Sequence, residues 1–240
     1  MNKCLNKYKE TGNIKRSQDM LTSRSPTEVS EPTYMNPEQL LKSYAAGERV
    51  FRQANLRGSD LSEVRLAGIK LGQADLAGAN LSAANLRYSN LSEASLKGTT
   101  LWRADLSGAR LIRANLSGAN LIQAKLSQAD LHKAVLVRAE LRLVDLRDAD
   151  LSGADMTGVD LSYADLSNAN LAGADLSRAN LTGANLSNTD LYRVNLARAI
   201  LARTNLSGAN LSEVNLDRVD LSTANLTDAT LAQLVSSNEN

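Results

Sequence analysis

The sequence predicts a solenoid whose main chain turns a corner every five residues. Three observations predict it. Leucine stands at every fifth position from Leu56 to Leu231, with Met156 the single exception and no insertion breaking the register. Two residues before each of these the side chain is small, most often Ala, as at Ala74, Ala104 and Ala119. One residue before, it is usually Asp or Asn, as at Asp75, Asn120 and Asp145.

A period of five fits neither common element. At about 100° per residue a helix would scatter the leucines around its axis. In a flat strand an odd step sends alternate leucines to opposite faces. One interior can hold them all only if the backbone bends by a constant angle in each pentad. Fixed-period self-similarity of this kind marks a stacked repeat architecture. The small residue then reads as a second inward position with little room, since overpacking costs roughly 1–3 kcal/mol per site. Asp and Asn bond nearby backbone and tolerate turn geometry. The two residues after each Leu are expected to be free and polar. The unit is Ala-(Asp/Asn)-Leu-x-x, with Leu and Ala inside.

Residues 1–35 are polar, of mixed charge, and interrupted by Pro26 and Pro32. They are expected to form a disordered tail. Residues 36–53 are read as a capping helix and the entry to the first coil. Asn36-Pro37-Glu38-Gln39 has the residues and spacing of a capping box, and Gly47 suits a C-terminal stop. Leu40, Leu41, Tyr44 and Ala45 are expected on one face, lidding the first coil. Phe51, five before Leu56, is expected as the first core residue. Arg49, at the usually small position, predicts a half-formed pentad. Residues 54–233 form the repeat array, and 234–240 a C-terminal cap or tail.

The pentads Ala54-Asn55-Leu56-Arg57-Gly58, Ala74-Asp75-Leu76-Ala77-Gly78 and Ala119-Asn120-Leu121-Ile122-Gln123 resemble the pentapeptide-repeat family. The run Leu40 to Phe51 is similar to leaders that precede such arrays in bacterial members. The resemblance implies an all-β fold, a right-handed quadrilateral parallel β-helix with four pentads per coil. Glycine spacing alone leaves ten or twenty residues per coil open, since Gly68 and Gly108 fit the shorter repeat and Gly58, Gly78 and Gly98 the longer. With four sides, thirty-six pentads give about nine coils, on the order of 43 Å at ~4.8 Å each. Some members dimerise end to end, so a homodimer through the C-terminal coil is one expectation.

Composition bounds the function. Net charge is +1, which builds in no general attraction to nucleic acid. Cys4 is the only cysteine and His132 the only histidine, so no zinc site and no disulfide framework is expected. Met1 to Lys15 is basic but lacks an apolar run of signal-peptide length, and no run is long enough to span a bilayer. A cytoplasmic, non-enzymatic protein without cofactor follows as the expectation. A Ser-His-Asp grouping around His132 carries no weight, because the repeat itself supplies Ser and Asp everywhere.

Two surface features point to a protein partner. Residues twenty apart stack if the coil has four sides, which places Trp102 over Ile122, with Leu143 and Tyr163 beside them. Large apolar side chains at normally polar positions form a candidate contact patch. Charge is banded as well. Arg103 to Arg147 is mostly basic, Asp148 to Ser177 carries six acids and no base, and a belt with Arg178, Arg198 and Arg203 follows. Stacked carboxylates such as Asp145/Asp165 and Asp155/Asp175 are expected to repel, to raise some pKa values, and to attract a cation at most weakly. Certain relatives protect DNA gyrase from quinolones and are thought to resemble DNA by their negative surface. Here basic belts interrupt the acidic one, so a DNA-mimicking regulator is the second reading and an interaction scaffold with an unknown protein partner the first.

Overall fold

A computed structural model describes residues 35–231. The expectations for residues before Met35 and for the C-terminal cap fall outside them. One helix, α1 (Pro37–Ala45), precedes a solenoid that begins at Val50.

The capping box is complete. Asn36 Oδ1 accepts the Gln39 N–H at 2.8 Å, and Gln39 Oε1 accepts the Asn36 N–H at 3.3 Å. Gly47, at φ 100°, carries the chain out of the helix in a conformation that only glycine adopts cheaply. The face that covers the core differs from expectation. Leu40 is fully buried and Tyr44 half-buried, its hydroxyl donating to the Ala67 carbonyl at 2.8 Å, but Leu41 and Ala45 are exposed. Leu40 and Tyr44 lie four apart, on one stripe of the helix. Arg49 lays its guanidinium 3.9 Å from the Tyr44 ring centre and donates to the Tyr44 carbonyl, closing the helix end. The pentad it opens is tied to the next coil, with Val50 bridged to Lys70, Phe51 donating to the Lys70 carbonyl at 2.8 Å and the Phe51 side chain buried.

Every bridge of the solenoid is parallel and joins a residue to the one twenty further on, from Val50 with Lys70 to Asn210 with Thr230. A coil therefore takes four pentads. The pentad Leu76 to Asn80 shows how all five N–H groups are satisfied. Leu76 donates to the Ser95 carbonyl of the next coil at 2.8 Å, and Gly78 to that of Lys97 at 2.8 Å. Asn80 donates back to Ser59 at 2.9 Å, and Ala79 closes the turn onto Leu76 at 2.9 Å. The remaining N–H, of Ala77, reaches neither coil nor turn, and Asp75 Oδ1 accepts it at 2.9 Å. That is the reason for Asp or Asn before Leu: its side chain caps a donor that would otherwise be orphaned.

The second residue after Leu is less free than the sequence suggested. Its φ is positive at nearly every pentad, in Gln53, Arg103, Leu143 and Tyr163 as well as in the glycines. A left-handed third residue closed by the bond from the small residue to Leu is the geometry of a type II turn. Inside, the leucines are buried from Leu56 to Leu211 and the small residues with them, apart from half-buried Ser59 and Val64, while Leu216, Leu221 and Leu226 are half-buried. Inward threonines bond turn carbonyls, Thr99 Oγ1 to Leu96 at 2.8 Å and Thr189 Oγ1 to Leu186 at 2.7 Å.

Candidate protein-contact site

The turn positions project outward, and their side chains meet across coils. Gln73 Nε2 donates to Glu93 Oε2 at 2.9 Å, Arg103 Nε to Gln123 Oε1 at 2.8 Å, and Arg193 Nε to Glu213 Oε2 at 2.6 Å. Each corner is thus a column of stacked side chains at a spacing of twenty residues. Arg193 holds the Glu213 carboxyl below its ordinary value through that bond.

Trp102, Ile122, Leu143 and Tyr163 fall on one corner in four consecutive coils. Trp102 and Ile122 take the first turn position, Leu143 and Tyr163 the second. Trp102 is 40% exposed, Leu143 53% and Tyr163 61%, while Ile122 is half-buried. The Arg103 guanidinium stands 4.4 Å from the Trp102 ring centre. The Tyr163 ring lies over Gly183, where an added Cβ would come 2.7 Å from Cε1. Packing on both neighbours holds these rings in place, so the apolar strip is preorganised. Arg142, beside Leu143, reaches Glu140 at 4.0 Å and Asp160 at 3.8 Å and forms a charged rim.

The basic belt divides. Arg178 and Arg198 are twenty apart and share one corner with Arg218, which the sequence reading left out. Arg203 lies on the next corner, in the column that runs through Leu143, Tyr163 and Gly183. Among the described residues no acid pairs with Arg178, Arg198 or Arg203, and Arg218 reaches only its neighbour Asp217, at 3.9 Å. Other large apolar side chains stand exposed too, among them Tyr88 over Gly108 and Ile200 at a position that most often carries Asp or Asn. Both were legible, because each departs from the residue type of its position.

Asp145 shows the opposite of the expected rise in pKa. Arg147 donates from Nε to Asp145 Oδ1 at 2.8 Å and from Nη2 to Oδ2 at 2.9 Å, and lies 3.9 Å from Asp165. That bond keeps the Asp145 carboxyl below its ordinary value, against the opposing effect of burial. At the Asp145/Asp165 pair a guanidinium therefore stands where a cation was weighed. Among the described residues no cluster of His, Cys, Asp or Glu could hold a metal ion. His132 Nδ1 lies 2.8 Å from Ser152 Oγ, but Asp130 and Asp150 accept backbone N–H groups rather than the ring. No triad is assembled. No described helix is long and apolar enough to cross a membrane.

A family model described as pentapeptide repeats matches in overlapping copies over residues 65–228. The crystal structure of HetL, a pentapeptide repeat protein involved in heterocyst differentiation regulation from the cyanobacterium Nostoc sp. strain PCC 7120, is 37% identical. The match covers 82% of this chain and 93% of HetL, with a TM-score of 0.57. The pentapeptide repeat protein alr5209 from Nostoc PCC 7120 is 40% identical over 46% of this chain and 84% of its own, with a TM-score of 0.41. QnrB1, a plasmid-mediated fluoroquinolone resistance protein, is 19% identical over 76% of this chain and 85% of its own, with a TM-score of 0.36. No curated protein sequence matches the chain. An unbroken five-residue register, a twenty-residue coil, the family-model match and the likeness to HetL place the chain in the pentapeptide-repeat family.

Proposed function

We propose that this chain is a non-enzymatic, cytoplasmic interaction scaffold, a right-handed four-sided solenoid of about nine coils, from thirty-six pentads at four per coil. Its corner strip of Trp102, Ile122, Leu143 and Tyr163 meets a protein partner. The observation that carries this reading is the continuity of the strip: four large apolar side chains, three of them exposed, on successive coils of a corner that is otherwise polar. Aromatic residues within a charged rim are the side chains that dominate binding energy at protein interfaces. A regulatory role in the manner of HetL is consistent with it.

A DNA-mimicking regulator of an enzyme such as DNA gyrase needs a continuous acidic face. The acids of the central band are instead shared among the sides. Asp150, Asp155, Asp160 and Asp165 stand in four different columns of bridges, and Arg142 and Arg147 approach two of them.

The test is quantitative crosslinking in the native cell with the parent and with W102S/I122S. The double variant is expected to melt like the parent and to lose a discrete crosslinked partner. Crosslinks unchanged in the variant, or inhibition of gyrase supercoiling by the purified parent, would remove the reading.

A further inference from the structure

The apolar corner strip has a fixed length and a fixed pitch. Small side chains bound it, Ser82 and Ala83 in the coil before Trp102 and Thr182 and Gly183 in the coil after Tyr163. Between those limits main-chain bonds lock each turn to the next. Arg103 donates to the Ile122 carbonyl at 3.1 Å, Gln123 to that of Arg142 at 3.0 Å, and Leu143 to that of Ser162 at 3.1 Å. The four apolar side chains are therefore rooted at about 0, 4.8, 9.6 and 14.4 Å along the axis, the spacing of paired strands.

An α-helix rises ~1.5 Å per residue, so residues spaced three, four and three apart on one stripe lie at about 0, 4.5, 10.5 and 15 Å. The two series agree to within about 1 Å. In an extended strand, side chains of one face recur every ~6.8 Å, so a strand laid along the corner is out of step after its first side chain. A second solenoid shares the pitch, but a strip ~14 Å long and one side chain wide falls far short of the ~800 Å² per partner that a stable dimer buries. A single helix needs less, and two convex cylinders joined by such stripes are what a coiled coil is. The flanks carry both signs. Beside Leu143 and Tyr163, the carboxylates of Glu140, Asp145, Asp160 and Asp165 outnumber Arg142 and Arg147, which reach them at 2.8–4.0 Å. Beside Trp102 and Ile122, the bases Arg103 and Lys125 outnumber Asp105. Unlike ends suit a protein segment with bases at one end and acids at the other, and suit neither a polyanion nor an anionic bilayer.

We infer that the strip receives one amphipathic helix of a protein partner, about three turns long, laid along the solenoid axis with apolar residues at i, i+3, i+7 and i+10. Its bases lie over the Leu143–Tyr163 end and its acids over the Trp102–Ile122 end. The inference rests on the scaffold reading and names the chemistry of the partner.

Trp102 is the only tryptophan in the chain, so its emission reports on the strip alone. The probe is a peptide without aromatic residues, held helical by lactam bridges on its outer face. Its leucines are spaced three, four and three residues apart, with lysines flanking the first two and glutamates the last two. Titrated into the full chain, it is expected to shift the Trp102 emission to the blue and to saturate. Two controls are expected to bind at least about tenfold more weakly, the same bridged helix with its leucines scattered around the axis and an unbridged peptide with leucine at every second residue. I122S/L143S should weaken binding of the probe by a similar factor at an unchanged melting temperature, with Leu143→Asp as the substitute should the double variant melt early. No saturable shift, equal or tighter binding of either control, affinity unchanged in the variants, or a dimer in sedimentation that I122S/L143S dissociates would each overturn the inference. Cellular crosslinks unchanged in W102S/I122S remove the scaffold reading itself. Crosslinks lost in that variant, together with preference for a control peptide, remove the helix alone.

Discussion

Asn180 Nδ2 donates to Oδ1 of Asp160, one coil away, at 3.2 Å. The same bond joins Asn185 to Asp165 at 3.1 Å and Asn195 to Asp175 at 3.2 Å. Asp and Asn both serve the turn, so they look interchangeable along the sequence, but across coils they are not. An amide can donate to its neighbour and a carboxylate cannot.

Asp155 and Asp175 are bridged neighbours, so two carboxylates face each other with no donor between them. Asp175→Asn supplies the donor. It keeps the acceptor that the Ser177 N–H and Asn195 use. The variant should gain about 0.5–1.5 kcal/mol, the net worth of a hydrogen bond, and melt a few degrees higher. A lower melting temperature would show that the ladder bond contributes nothing.

Arg147 sets the acid limb of stability at its own site. A carboxyl whose folded pKa is lowered contributes stability that is present above its unfolded pKa and lost as pH falls through the folded one. For Asp145, held down by Arg147, that loss lies below about pH 4. In Arg147→Gln the Asp145 carboxyl should titrate at higher pH, followed by the carbon-13 shift of the carboxyl. The denaturation curves of variant and parent should converge as the pH is lowered. A curve for Asp145 that does not move would remove Arg147 as the cause.

Leucines at 126 and 143 test the inward assignment as a pair. Leu126 is 1% exposed in the line of core leucines, and Leu143 stands outward on a corner. Leu126→Asp buries an unpaired charge and should cost roughly 4 kcal/mol or more, enough to abolish cooperative melting. Leu143→Asp, at a left-handed φ of 58° that Asp tolerates better than Leu, should melt as the parent does or higher. Equal melting of the two variants would contradict the solenoid register.

The interior was legible because one residue type repeats in an unbroken register, Met156 alone excepted, and burial of Leu56 to Leu211 follows from that repeat. The helix start was legible for the same kind of reason, since Asn36, Pro37 and Gln39 each satisfy a named backbone need. The number of residues per coil was not. Glycines at 58, 68, 78 and 98 occupy the same turn position, and Arg, Gln, Tyr and Leu occupy it elsewhere with the same φ, so glycine marks no particular side. The resemblance supplied what the spacing left open. Once the coil is twenty residues, arithmetic alone joins Arg178 to Arg198 and Arg218 and parts them from Arg203. The exposed face of α1 was misjudged because Leu41 and Ala45 carry an apolar signal but lie off the stripe through Leu40 and Tyr44.

Gly183 supports the contact strip through Tyr163. The ring occupies the space that a Cβ on Gly183 would take, and Gly183 itself sits at φ 66°. Ala83 holds the same turn position at φ 53°, so the backbone accepts alanine there, at a cost of about 1 kcal/mol. In Gly183→Ala that backbone penalty is joined by displacement of the Tyr163 ring. In the Tyr163→Ser background only the backbone part remains. The two substitutions should therefore couple by at least about 0.5 kcal/mol in a double-mutant cycle read by denaturation. Gly183→Ala alone should also weaken the crosslink that W102S/I122S removes, although it touches no strip residue but Tyr163. Additive effects of the two substitutions would mean that Tyr163 does not rest on the coil below it, and the strip would lose the packing that holds its outer aromatic ring in place.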